Sequence, residues 1–160
     1  MSVVAVTGCS GYIGSRLQVF LEDDDRVSRV VGIDVRPPTH ATAKLDFHLL
    51  DVRDESMLRV FEDNNVDTVV HLAFILNPIH DNALMHDIDV RGARNVLKAA
   101  SRSGVRHLVI ASSTSAFGAL PDNPEWLTEE HPPRRQLNFT YASDKFEVEV
   151  ILREFIEANP

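Results

Sequence analysis

Short apolar runs alternate with amphipathic stretches along this chain, and that alternation predicts its elements. Val3–Val6 reads as a buried strand, followed by a glycine turn and a helix from about Gly11 to Leu21. The acidic run Glu22-Asp23-Asp24-Asp25 is expected to end that helix, since carboxylates oppose the dipole at a helix C-terminus, and to continue as a solvated loop. Arg29–Asp34 predicts a second strand, stopped by Pro37-Pro38, and Lys44–Leu50 a third. Asp54 is placed to N-cap a helix reaching Asn64. Asp67–Ala73 predicts a fourth strand, and a helix over Ala83–Ser103 is closed by Gly104. Arg106–Ser112 predicts the fifth strand. A loop with Pro121, Pro124, Pro132 and Pro133 then leads to a last helix, Tyr141–Ala158. Continuous apolar strands separated by helices indicate a parallel sheet covered on both faces.

Composition narrows the class. A chain of 160 residues is long enough to bury one core, and 44% hydrophobic with 25% charged residues is ordinary for a globular protein. The net charge of −8 argues against nucleic acid or an anionic membrane as partner. Cys9 is the lone cysteine, so no internal disulfide or cysteine-based metal site is expected, which suits a reducing compartment. No basic, apolar leader precedes the first strand, and no apolar stretch approaches the roughly 20 residues a membrane span needs. The expected location is the cytoplasm.

Gly8, Gly11 and Gly14 fall between the first strand and the first helix. Such glycines permit a tight turn, close approach of backbone to a pyrophosphate and close packing of helix on strand. The phosphates then meet free N–H groups at a helix N-terminus. Asp34, twenty residues beyond Gly14, stands where a carboxylate binds the adenosine ribose hydroxyls. That carboxylate repels a 2′-phosphate, so NAD is favoured over NADP, a preference that nearby Arg36 softens. The expected fold is therefore α/β, a Rossmann-type doubly wound parallel sheet with five strands in the order 3-2-1-4-5. Cys9 within the turn reads as a small tolerated residue, and His71 in its apolar strand as a structural histidine. Asp51-Val52, at the end of the third strand, is a candidate adenine contact, although Asp51 also suits the start of the next helix.

Tyr141 and Lys145 are four residues apart, on one face of a helix. A nearby ammonium favours phenolate, which makes Tyr141 a candidate base for a substrate hydroxyl. Ser113, at the carboxyl end of the fifth strand, is the favoured partner for the reacting oxygen, with Ser112, Thr114 and Ser115 beside it.

On these residues the chain resembles, over its whole length, the extended short-chain dehydrogenase/reductase family, in its NAD-dependent epimerase/dehydratase branch. Thr7-Gly8-x-x-Gly11-Tyr12-Ile13-Gly14 is similar to that branch's glycine motif, which implies that Tyr12 and Ile13 join the glycines at the cofactor. Val69-Val70-His71-Leu72-Ala73 resembles its fourth-strand motif and implies that Leu72, Ala73 and Phe74 line the cofactor. The segment from Ala111 to Gly118 is similar to its serine segment, which selects Ser113 and brings Ala111 to the cofactor. Tyr141 and Lys145 match its catalytic pair, implying that Lys145 also holds the nicotinamide ribose.

Three departures stand out. Asp89 occupies a position where the family usually has an asparagine of the catalytic network, and its carboxylate donates no proton unless protonated, with consequences for a water relay or the ribose site. Phe117 replaces a usual tyrosine. The chain also stops directly after the helix bearing Tyr141, where family members continue into further strands and a substrate domain. Residues 1–160 are thus expected to be the NAD-binding domain of a longer protein, inactive alone, with an apolar sheet edge after the fifth strand. The resemblance implies an epimerase or dehydratase acting on a hydroxyl-bearing substrate, a nucleotide sugar above all, with a homodimer as an allowed assembly. A hydroxysteroid-type dehydrogenase and a noncatalytic NAD-binding module are the alternatives. Pro-rich residues around Trp126 are expected to border the substrate mouth.

Overall fold

The computed structural model describes residues 1–40, 42–76 and 80–159. Five strands, β1 (Ser2–Thr7), β2 (Val27–Asp34), β3 (Leu45–Leu49), β4 (Thr68–His71) and β5 (His107–Ile110), form one parallel sheet in the order β3-β2-β1-β4-β5. This is the predicted α/β order. The helices are α1 (Tyr12–Glu22), α2 (Met57–Asp63), α3 (Asn82–His86), α4 (Gly92–Ser103) and α5 (Thr140–Ala158). A π-helical turn (Asp87–Arg91) joins α3 to α4, and a 3₁₀ turn (Thr114–Phe117) follows β5.

The described residues form two compact units. The first comprises Met1–Phe74 and Gly92–Ala111 and holds the whole sheet with α1, α2 and α4. Its β1 lies between β2 and β4, with Thr7 opposite both Ile33 and His71. Strand addition reverses direction there, and the carboxyl ends at such a reversal form the ligand crevice of open α/β sheets. Val6, Val30, Val31, Ile33 and Val69 are fully buried in the sheet, and Met57 and Phe61 are fully buried on α2. Burial of each of these larger side chains stabilises the fold by about 1.5–3 kcal/mol. The second unit holds Ile75–Arg91 and the chain from Ser112 on, in which α5 packs against the 3₁₀ turn and the π-turn.

Several boundaries differ from the sequence reading. β3, β4 and β5 end at Leu49, His71 and Ile110, one or two residues early, so Asp51, Ala73 and Ser113 stand beyond the strands. Pairing stops where β1 does: past Thr7 the chain turns away into the glycine loop, and β4 loses its ladder partner. The helix expected over 83–103 is interrupted by the π-turn, whose widened backbone carries the buried Asp89. Asp54 is not the N-cap of α2. Its carboxylate accepts the Ser56 amide at 2.8 Å in a preceding turn, and the helix starts only at Met57.

The acidic run also does more than meet solvent. α1 does end at Glu22, but the Glu22 carboxylate accepts the Ala43 and Lys44 amides at 3.2 and 2.9 Å. Lys44 Nζ in turn reaches the Leu21 and Asp24 carbonyls at 3.2 and 2.9 Å, which ties the end of α1 to the start of β3. In the last strand, Val109 of β5 is 54% exposed.

Candidate functional site

In the first unit the glycine turn is held by the sheet on either side. Gly8 has φ +70° and donates its amide to the Ile33 carbonyl at 2.8 Å. A Cβ on Gly8 would lie 2.7 Å from the Ala73 nitrogen, so the backbone just past β4 leaves no room for any other residue. Gly11 donates to the Gly8 carbonyl at 3.0 Å and N-caps α1 without a side-chain cap. The first-turn amides of α1 are thus left to a ligand or solvent. A Cβ on Gly14 would lie 2.3 Å from the Gly8 oxygen, which is how closely the helix start lies against the turn. Tyr12 and Ile13 are 82% and 58% exposed on that first turn.

Asp34, at the end of β2, accepts the Ser10 amide at 3.0 Å and the Arg36 amide at 3.1 Å. Ser10 Oγ donates to the Arg36 carbonyl at 2.7 Å, so the turn and the end of β2 form one unit. Asp51 is bound by its neighbour Arg53, Nε at 2.9 Å and NH2 at 2.6 Å. Val52 is buried against Gly92, where a Cβ would come within 2.6 Å of Val52 Cγ2. Leu72, Ala73 and Phe74 are half-buried just past β4, and Ala111 donates to the His71 carbonyl at 3.2 Å. His71 is buried with Nδ1 2.6 Å from Thr7 Oγ1, a contact between neighbouring strands in keeping with a structural role.

Gln18 was missed by sequence reasoning. It is buried on α1, and its Nε2 donates to the Cys9 carbonyl at 2.6 Å, holding the turn from behind. A polar residue on the inner face of an amphipathic helix is the only signal that marks it. Cys9 itself is fully buried, and burial pushes its thiol up to about 11. The folded protein should therefore react with an aromatic disulfide reagent at under about a tenth of its denatured rate. Equal rates in the two states would show an accessible thiolate instead.

The second unit carries the candidate acid–base groups. Ser113 precedes the 3₁₀ turn, and its Oγ accepts the Ser115 amide at 3.2 Å and the Ser115 hydroxyl at 2.8 Å. Both acceptor positions of Ser113 are then engaged, and its own O–H is left to donate. Tyr141 is half-buried in the first turn of α5, its ring centroid 5.8 Å from that of Phe139. Lys145 is buried one turn on, with Nζ 5.8 Å from the Tyr141 ring centroid. Burial holds the Lys145 ammonium down at about 8, against the opposing pull of Asp89 and Glu149.

Asp89 is fully buried in the π-turn and accepts the Ile75 amide through Oδ1 at 2.8 Å. Burial, reinforced by the charge of Asp144, pushes its carboxyl up to about 7. Asp144 is buried beside Lys145 and bonds His86 Nδ1 at 2.7 Å. Neither His86 nor Asp144 was singled out from the sequence, because α3 and α5 are far apart in the chain and no local pattern joins them. Phe117 packs edge-on against His131, centroids 6.1 Å apart, and Trp126 is 80% exposed. Arg134 ties this loop down through Asp122, at 2.9 Å, and Asn123, at 3.1 Å. Among the described residues there is no cluster of metal-ligating side chains, and no helix is long and apolar enough to cross a membrane.

Comparison with known proteins adds four findings. Residues 4–159 match the model of the NAD dependent epimerase/dehydratase family. UDP-glucose 4-epimerase 2 of Oryza sativa subsp. japonica is 32% identical over 172 residues, covering 98% of this chain and 41% of that protein. An uncharacterized protein of Mycobacterium tuberculosis is 26% identical over 165 residues, covering 99% of this chain and 44% of its own length. Among solved structures, MoeE5 in complex with UDP-glucuronic acid and NAD has a TM-score of 0.82 at 27% identity, covering 96% of this chain and 49% of MoeE5. The chain thus spans less than half of each of these relatives.

Proposed function

We propose, from the premise that this chain belongs to the NAD dependent epimerase/dehydratase family, that it supplies the NAD-holding and proton-transferring parts of a nucleotide-sugar epimerase or dehydratase. The observation that carries the reading is the turn at Gly8–Gly14. Its backbone admits no Cβ at Gly8 or Gly14, its helix start bears no side-chain cap, and a carboxylate stands beside it. That donor set fits a pyrophosphate at the α1 amides and ribose hydroxyls at Asp34.

Bound NAD would supply a reversible hydride acceptor for the substrate carbon. The chain's own part is to move and steady protons. Tyr141 takes the proton of the hydroxyl being oxidised, and Ser113 donates its O–H to the same oxygen. The buried Lys145 charge favours the phenolate form of Tyr141 and supplies a donor for ribose hydroxyls. Asp51 and Val52 are proposed near adenine, and Leu72, Ala73, Phe74 and Ala111 along the cofactor. The rice relative and the complex of MoeE5 with UDP-glucuronic acid support a UDP-sugar as substrate.

The intact protein is expected to interconvert UDP-glucose and UDP-galactose, or to act on a related UDP-sugar, without accumulating NADH. Steady release of NADH would instead mark a dehydrogenase. NAD should also raise the melting temperature more than NADP does. Replacing Asp34→Asn, which removes the charge facing a 2′-phosphate, should narrow the ratio of the two dissociation constants by roughly tenfold. Better protection by NADP in the unaltered protein would overturn the cofactor assignment.

A further inference from the structure

One peptide plane of the glycine turn is held at both ends. The Cys9 carbonyl accepts Gln18 Nε2 at 2.6 Å, and the Ser10 N–H donates to Asp34 Oδ2 at 3.0 Å. These two groups belong to the same peptide unit, which is trans and so carries its C=O and N–H on opposite sides of a rigid plane. A rotation that frees one end therefore moves the other. Gln18 lies in α1 and Asp34 at the end of β2, both in the first unit, and this plane links them.

Gln18 is only 2% exposed, and its surroundings fix which way its amide points. Nε2 has the Cys9 oxygen at 2.6 Å and the Gly14 oxygen at 3.4 Å. Both are acceptors, so an amide turned end for end would set oxygen against oxygen. Oε1 has no hydrogen-bond partner among the described residues, and a buried amide oxygen left unbonded costs stability. An apolar side chain of similar length would avoid that cost. The favourable part of the Gln18 amide is thus Nε2 and the Cys9 carbonyl that it holds.

At the other end of the plane, the buried Asp34 carboxylate has two backbone donors. The Ser10 N–H reaches Oδ2, and the Arg36 N–H reaches Oδ1 at 3.1 Å. Arg36 is steadied in turn, because Ser10 Oγ donates to its carbonyl at 2.7 Å. Both donors therefore depend on where Ser10 sits. With one amide on each oxygen the plane of the carboxylate is set, and each oxygen keeps a further lone pair for a hydroxyl.

We propose that Gln18 is a positioning residue for Asp34: by holding the Cys9 carbonyl it aims the Ser10 N–H at the carboxylate, which is thereby presented to the hydroxyls of the adenosine ribose. Gln18 acts through the peptide plane and not by touching the cofactor. The ribose assignment rests on the function proposed above, whereas the link from Gln18 to Asp34 does not. Without Nε2 the Cys9 carbonyl, part of a fully buried residue, loses its short bond. Turning the plane toward another donor swings the Ser10 N–H off Oδ2. The carboxylate then keeps only the Arg36 amide and is free to rotate about its last torsion.

Two measurements on Gln18→Met in the intact protein test this, the first without cofactor. Methionine is close to glutamine in length and volume and brings no charge, so the fold should survive. Hydrogen exchange of the Ser10 amide, followed by NMR, should quicken by at least about tenfold, while the amides of β1 and β4 keep their protection. The second measurement compares NAD with NAD lacking the adenosine 2′-hydroxyl, of which the unaltered protein should prefer the former. In Gln18→Met, NAD should bind about fivefold more weakly and the deoxy compound less than about twofold more weakly. Unchanged Ser10 exchange or unchanged NAD affinity would overturn the proposal. So would equal weakening of the two ligands, because Gln18 would then brace the whole turn and not the carboxylate. If Ser10 exchange quickens but the unaltered protein binds the two ligands alike, Gln18 still positions Asp34, and the ribose assignment fails instead. Gln18→Asn, whose amide is drawn back by one methylene, carries the same comparison if Gln18→Met does not fold.

Discussion

Replacing Tyr141→Phe in the intact protein is expected to lower kcat by about 10²–10⁴-fold, the usual worth of a positioned general base, while NAD affinity changes less than about twofold. The substitution is nearly isosteric. The Phe139 ring at 5.8 Å and the Lys145 ammonium at 5.8 Å both meet the aromatic ring rather than depending on the hydroxyl, so packing and the cation–π contact persist. What is lost is the phenolic oxygen proposed to take a proton from a substrate hydroxyl. The glycine turn and Asp34 lie in the first unit, so cofactor titration followed by nicotinamide fluorescence should be unaffected. Turnover retained within threefold would exclude Tyr141 as the base. Loss of NAD binding together with turnover would mean that the tyrosine acts mainly at the cofactor.

Replacing Gly14→Ala should be as damaging, through the backbone. The new Cβ would sit 2.3 Å from the Gly8 oxygen and 2.7 Å from the Cys9 Cα. Both are main-chain atoms of a turn already held by the Ile33 carbonyl and the Gln18 amide, so neither gives way by a side-chain rotation. Relief requires α1 to move off the turn. That should cost about 2–4 kcal/mol in urea unfolding and weaken NAD by at least tenfold, because the α1 amides would move with it. Gly104→Ala is the matching control. Gly104 has φ +75°, but a Cβ there meets nothing within 4 Å, so only backbone strain of about 1 kcal/mol is expected, with NAD affinity intact. Equal losses in the two variants would show that conformational strain, and not the close approach of α1, governs the turn.

The residues bear unequal witness to this arrangement. The sheet order was legible because most strands carry a short apolar run, β3 with its alternating Leu45-Asp46-Phe47-His48-Leu49 being the weakest, and each connection is a helix or loop of ordinary length. The glycine turn was legible because its requirements are local: a reversal at Gly8, a close contact at Gly14 and a carboxylate at the end of the next strand. Tyr141 and Lys145 could be paired because one helical turn separates them. By contrast, the break at Asp87–Arg91 was invisible in a stretch whose helical periodicity runs on, since a π-turn adds a residue without altering composition. Glu22 reads as one acid among four, and only the arrival of β3 beside it supplies the Ala43 and Lys44 amides that it accepts.

What the sequence determined by itself was therefore whatever depends on neighbours within a few residues: the strands, their helices, the glycine turn, and the spacing of phenol and ammonium. What only the tertiary structure decided was the state of the groups whose partners are remote in the chain. Gln18 behind the turn, the buried Asp89, and the buried Asp144 bonded to half-exposed His86 owe their states to burial and to contacts between residues remote in the chain. Burial changes the cost of a charge, and no local pattern in a chain states which carboxylate will be sealed from water.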